Sequence, residues 1–198
     1  MKSVCVYCGA RNGSNPLHHK QAQVLAAAMV NRNTSLVYGG GNVGLMGVIA
    51  DEMMRLGGTV TGVIPASLVA REVGHQGLSQ LHVVSTMHER KALMADLSDG
   101  FIAMPGGFGT LDELFEILTW AQLGFHNKPV GLLNTAGYFD HLLQFIDHAA
   151  TEGFIGDEHR RMFCVADDPA LLLQQMLAMQ SASQLTHFSD TPDAGDLR

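Results

Sequence analysis

Across 198 residues, 46% of them hydrophobic and 16% charged, the chain has an ordinary globular composition, and its length allows one large domain or two small ones. Twelve basic against nineteen acidic side chains leave a formal charge of -7, with no Lys/Arg run longer than two; this excludes the electrostatic footprint of a nucleic-acid binder but leaves room for a local anion pocket. Three Cys without framework spacing, and a start (MKSVCVYCGA) too short in apolar length for a signal peptide, predict a reduced, cytoplasmic protein.

In chain order, SVCVYCGA is a β-rich run, PLHHKQAQVLAAAMVNRN has helical spacing and SLVYGGG is a second strand. The uncharged stretch 33–50 approaches membrane-span length, but YGGGNVG divides it into a strand and a helix start, so no span is expected. GLMGVIADEMMRLGG reads as a helix stopped by Gly57 and Gly58, followed by TVTGVIP, an irregular segment through Gly77, and LHVVST. The helix MHERKALMADLSD, the strand GFIAMPGG, a helix over about 110–124, KPVGLLN, a helix over 138–152, FCVADD and PALLLQQMLAMQ complete the series. Strands apolar throughout and alternating with helices describe a parallel sheet covered on both faces: α/β, a single Rossmann-like doubly wound domain of about seven strands. That domain is expected over 1–180, and the loss of periodicity after Gln180 predicts a poorly ordered tail over 181–198.

In such sheets ligands sit at the carboxyl ends of the strands, and two Gly-rich loops fall there. The first, Gly39-Gly40-Gly41-Asn42-Val43-Gly44, matches G-x-G-x-x-G between a strand and a helix. A dinucleotide site would need an acid at the end of the next strand, and TVTGVIPAS ends without one. Gly40 and Gly41 are expected to let the backbone approach some other ligand, with close helix–strand packing as the competing reading. The second loop is Pro105-Gly106-Gly107-Phe108-Gly109-Thr110. Its N–H groups at a helix N-terminus, with the Thr110 hydroxyl, suit a phosphate, and the lack of a following Lys separates it from a Walker loop. Thr110 and Glu113 also form a capping-box pattern, in which Glu113 would reach back to the N-cap backbone. Glu116, three residues on, shares a helical face with Glu113, so both carboxylates can border one cleft. A carboxylate near a helix N-terminus is favoured in its ionised form, which suits stabilising positive charge or activating water.

STMHERKALM holds a second capping box, Thr86 with Glu89, and places Arg90 and Lys91 in a first turn, where cations oppose the helix dipole. Two cations there call for a nearby anion, against the plainer reading of a solvated basic pair.

YGGGNVGLMG, GVIPASL, MHERKALM and PGGFGTLDELFEILTW, in this order and spacing, resemble the LONELY GUY (LOG) family of cytokinin-activating phosphoribohydrolases, whose members have often been labelled lysine decarboxylases. The likeness runs from residue 4 to about 177. It implies hydrolysis of the N-glycosidic bond of a nucleoside 5′-monophosphate by a metal-free Rossmann-like homodimer, with the site near the subunit interface. No cofactor and, from charge and hydropathy, no nucleic-acid or membrane partner are expected. Carried over, Arg90 and Glu113 resemble the catalytic pair, and Glu72, Lys91, Gly107, Gly109, Thr110 and Thr119 the substrate-binding positions. No Lys lies in a recognisable pyridoxal-phosphate setting. A non-catalytic nucleotide carrier is the alternative, its acids serving only as caps. The chain departs from the pattern at Cys8-Gly9-Ala10-Arg11, where many relatives have CGSS, and Asp112 replaces a frequent Glu.

The remaining reactive side chains read as structural. An odd separation sends Cys5 and Cys8 to opposite faces of a strand, and Cys164 is placed in the core. His18 and His19 are adjacent, and His141 and His148 lack a third ligand at suitable spacing. Met46, Met53, Met54, Met87 and Met94 are packing residues, those near the Gly loops also able to line a base pocket. The helix over 110–124 carries more apolar surface than one core-facing stripe uses, which predicts a subunit contact through residues such as Phe115 and Leu123.

Overall fold

The computed structural model describes residues 1–69 and 74–189, with side chains through 182. Seven parallel strands form one sheet: β1 (Ser3–Tyr7), β2 (Ser35–Tyr38), β3 (Val60–Pro65), β4 (Gln80–Val84), β5 (Phe101–Ala103), β6 (Val130–Leu133) and β7 (Phe163–Ala166), in the order β4-β3-β2-β1-β5-β6-β7. The helices are α1 (Pro16–Val30), α2 (Gly44–Arg55), α3 (Ala66–Val69), α4 (Met87–Asp96), α5 (Phe108–Gln122), α6 (Asp140–Thr151), α7 (Asp157–Arg160) and α8 (Pro169–Ser189), with a 3-10 turn at Thr135–Gly137. This is the expected doubly wound α/β architecture. Its strand order reverses between β1 and β5, which pair through Cys5↔Phe101 and Tyr7↔Ala103, so the crevice for a ligand opens at their carboxyl ends.

Alternation along β1 shows why the strands are apolar throughout. Val4 and Val6 pack with α1, α2 and α8, whereas Cys5 and Tyr7 pack with α4, α5 and α6. Cys8 joins the first of these layers, so Cys5 and Cys8 lie on opposite faces, as their spacing predicts. Burial pushes the thiols of Cys5 and Cys8 well above their ordinary range, with the Glu113 carboxylate adding to it. Helix α1 starts where Asn15 Oδ1 accepts from Leu17 N at 3.0 Å and Pro16 takes the first helical position. Ala22, Leu25, Ala26 and Met29, at helical spacing, are fully buried; truncating Leu25 to Ala would cost about 2–5 kcal/mol.

Helix α8 runs to Ser189, beyond the expected end near Gln180. Ser181 Oγ donates to Leu177 O at 3.0 Å, satisfying its hydroxyl within the helix, and the following Ala, Gln and Leu are good helix formers. The rest of the expected tail, 190–198, lies outside the described residues, as does Glu72. No helix among the described residues is long and apolar enough to cross a membrane.

Candidate active site

The turns after β1 and β5 are pressed together. Met104 N donates to Tyr7 O at 2.8 Å and Gly9 N to Pro105 O at 3.1 Å. A Cβ on Gly106 would overlap Thr110 Oγ1 and approach Gly9 N to 2.9 Å, whereas Cβ atoms on Gly107 or Gly109 would meet open space. One loop thus combines a glycine needed for close packing with two that leave room above the backbone.

Helix α5 begins at Phe108, with Gly107 as N-cap and no side chain capping it among the described residues. Its first-turn N–H groups therefore remain available to an anion. The expected Thr110–Glu113 capping box does not form. Thr110 lies inside the first turn, 3% exposed and packed on Gly106, so its hydroxyl is not placed to cap. Glu113, more than one turn into the helix, turns instead toward Arg90.

Arg90 sits on the first turn of α4, whose N-cap does form as predicted: Thr86 Oγ1 accepts from Glu89 N at 3.1 Å. Glu89 reaches back to Ser85 N at 2.8 Å, one residue before the expected N-cap amide. The Arg90 side chain is buried and held on three sides. Nε donates to Val63 O at 3.1 Å, Nη2 to Gly39 O at 3.4 Å, and Nη1 lies 3.3 Å from Glu113 Oε1. With the Glu113 side chain only 11% exposed, this pair is a fixed charge arrangement rather than a strong source of net stability, because both ions have lost most of their hydration. Together with Cys8, Ala10, Met46, Gly107, Gly109 and Thr110 they line a cavity of about 180 Å³.

The first Gly loop supports this cavity from behind. A Cβ on Gly39 would overlap Arg90 Nη2. Gly40 has φ +77° and lies against Ile64 and Leu81, with its carbonyl accepting from His75 N at 3.1 Å, and Gly41 bridges to Gly74. Gly40 and Gly41 do not line the cavity; their close approach is to β3 and residues 74–75, the packing alternative to ligand contact.

Lys91 takes a different direction from Arg90. Its Nζ lies 2.9 Å from Glu116 Oε1 and 3.2 Å from Asp112 Oδ2, tying α4 to α5. Desolvation pulls the ammonium pKa down, but the two carboxylates outweigh it and hold it above the ordinary value. Thr119, one turn beyond Glu116, is exposed and donates to Phe115 O at 2.7 Å, away from the cavity. The structure therefore brings together Arg90, Glu113, Thr110 and the loop glycines Gly106, Gly107 and Gly109, pairs Lys91 with Glu116 and Asp112 instead, and leaves Thr119, Gly40 and Gly41 outside the cavity lining. Two contributors carried no local signal. Tyr138, which follows β6, donates its hydroxyl to Gly106 O, and Cys8 faces the cavity at the end of β1. Cys8 is marked only by its place just after β1, and Tyr138 lies beyond the 3-10 turn that follows β6.

A protein-family model described as possible lysine decarboxylase matches residues 46–176. The chain is 49% identical over 173 residues to a cytokinin riboside 5′-monophosphate phosphoribohydrolase of Arabidopsis thaliana, LOG2, covering 87% of this chain and 81% of that one. It is 50% identical over 165 residues to the rice enzyme of the same description, LOG from Oryza sativa subsp. japonica, covering 83% and 68%. Among solved structures, it resembles the Moco carrier protein from Chlamydomonas reinhardtii at TM-score 0.69 and 19% identity, over 91% of this chain and 98% of that one. The molybdenum cofactor binding protein from Rippkaea orientalis gives 0.68 and 22% over the same shares. These structural likenesses show a shared fold.

Proposed function

The chain belongs to the LONELY GUY (LOG) family, and from that premise we propose that it hydrolyses the N-glycosidic bond of an N6-substituted purine nucleoside 5′-monophosphate, releasing free base and ribose 5-phosphate. The observation that carries this reading is the buried Arg90–Glu113 pair, 3.3 Å apart, directly beside the uncapped first turn of α5.

Breaking a ribosyl C–N bond builds positive charge on the sugar and negative charge on the departing base. With the 5′-phosphate on the α5 N–H groups, the ribose falls within reach of Glu113, and its carboxylate stabilises the oxocarbenium-like sugar and orients the attacking water. Arg90 pairs with that carboxylate and aims it; the Val63 and Gly39 carbonyls keep Arg90 in place. Lys91 and Glu116 pair with each other between α4 and α5. A decarboxylase would need a lysine whose amine is readily deprotonated, and the carboxylates around Lys91 act the opposite way.

A carrier gains nothing from a carboxylate buried beside its phosphate seat, which favours the enzyme. The assay that decides it incubates the protein with AMP, an N6-substituted AMP and adenosine. Free base and ribose 5-phosphate from the monophosphates, with adenosine left intact, are expected; intact nucleotide after long incubation at high enzyme would establish the carrier. The homodimer is proposed on the exposed apolar face of α5, where Phe115 is 40% and Leu123 62% exposed while Leu114 and Ile117 fill the core. Charge substitution at Leu123 would give monomers or aggregates in sedimentation. Three thiols free of disulfides support a reducing, cytoplasmic setting.

A further inference from the structure

The cleft continues past the catalytic cavity. A second cavity of about 460 Å³ adjoins it through Ala10 and Gly107 and runs between the turn after β1, the start of α1 and Tyr138. Arg11, Ser14 and His18 line it, and no carboxylate among the described residues does. His18 is 8% exposed, and its buried Nδ1 finds no hydrogen-bond partner among the described residues. The His18 ring meets Tyr138 edge-on at 5.8 Å, and Tyr138 in turn holds the Gly106 carbonyl. The wall of this cavity is thus coupled to the loop that presents the α5 N–H groups.

Charge accounting gives the cavity a role. A phosphate monoester carries about 1.5 to 2 negative charges at neutral pH, and a helix N-terminus offers only about half a positive one. Arg90 is matched by Glu113, and Lys91 by Glu116 and Asp112. Arg90 and Lys91 are therefore already matched by protein carboxylates. Arg11 makes no ion pair among the described residues. Its backbone is packed closely, since Gly44 (φ +56°) leaves no space for a Cβ against Ala10 C and Arg11 N, and Arg11 lines the same cavity as Pro105, Gly106 and Gly107.

We propose that Arg11 contacts the 5′-phosphate from this second cavity and sets the preference for nucleoside monophosphates over nucleosides. The inference rests on the hydrolase reading for its substrate, but the phosphate seat itself is tested by binding alone. At the position where the family pattern carries a hydroxyl, this chain carries a planar cation that can bind two phosphate oxygens at once. The charge on the loop is thereby balanced from outside the MHERK segment.

The test compares wild type, Arg11→Ser and Arg11→Lys, each checked for an unchanged thermal transition. Calorimetry measures affinity for AMP, ribose 5-phosphate and adenosine, and kinetics follow an N6-substituted AMP. In Arg11→Ser the dissociation constants for AMP and ribose 5-phosphate and the KM rise about ten- to a hundredfold, while kcat stays within about twofold and adenosine affinity does not change. The salt dependence of KM flattens, because a partly exposed charge contact has been removed. Arg11→Lys recovers part of the lost affinity. Unchanged affinity for ribose 5-phosphate in Arg11→Ser would overturn the proposal, as would equal losses for AMP and adenosine. If wild type binds AMP but releases no base, the hydrolase reading fails while the Arg11 comparison still decides the phosphate contact.

Discussion

The two glycine-rich loops look alike in sequence and do different work. Around 39–44 the missing Cβ atoms are filled by the protein itself: Arg90 lies against Gly39, Ile64 and Leu81 against Gly40, and the turn after β1 against Gly44. Around 105–110 only Gly106 is filled in this way, and Gly107 and Gly109 face open space at the start of an uncapped helix. A glycine pattern therefore reports that backbone must come close to something; whether that something is protein or ligand depends on what the rest of the chain brings to the spot. The first loop positions Arg90 by giving it room, and the second leaves open space at the helix start where the phosphate is proposed to sit.

The most severe test removes the charge that both loops serve. Glu113→Gln keeps size and hydrogen bonding, and is expected to lower turnover about a hundredfold or more while calorimetry still detects AMP binding. Near-normal turnover would detach catalysis from the Arg90–Glu113 pair and make Glu116 the next carboxylate to test.

Placing the same methyl group in each loop tests the contrast directly. Gly39→Ala forces Arg90 to move, with an expected loss of about 1–3 kcal/mol in stability and roughly tenfold or more in turnover. Gly107→Ala meets nothing within 4 Å, so its melting temperature should stay close to wild type while KM rises severalfold. If Gly107→Ala unfolded the protein as readily as Gly39→Ala, the division between packing and ligand glycines would collapse.

A smaller effect is expected from Tyr138→Phe, which deletes the hydroxyl bonded to Gly106 O. Stability should fall by about 1 kcal/mol and KM should rise modestly, seen by denaturant titration and steady-state kinetics. Kinetics identical to wild type would confine Tyr138 to packing.

The smallest concerns Lys91. Its folded pKa is raised above the ordinary 10.5, with desolvation opposing and Glu116 and Asp112 overcoming the shift. A raised cation contributes stability fully present below its unfolded pKa and lost as pH climbs through the folded value. Lys91→Met should therefore be less stable than wild type by up to about 1 kcal/mol at neutral pH, and the two should converge only on the alkaline side of 10.5. A gap that stayed constant across that range would assign the loss to packing of the lysine stem.

Much of this molecule is local and was readable as such. The alternation of apolar strands with amphipathic helices determined the parallel, doubly wound sheet, because strands covered on both faces cannot afford a polar side. Thr86 and Glu89 determined the start of α4, since capping needs only residues within one turn, and the order of the MHERK and PGGFGT segments determined the family. What the tertiary structure decided is everything that depends on pairing across the switch point between β1 and β5. It set the start of α5 at Phe108, because Gly106 and Thr110 pack too closely for a Thr110 cap. It turned Glu113 to Arg90 and Lys91 to Glu116 and Asp112, divided the glycines between protein and open space, and brought Tyr138 to a carbonyl 32 residues away. Local periodicity and capping are properties of neighbouring residues, whereas the partner of a buried charge is chosen by which distant carboxylate the folded sheet places within its reach.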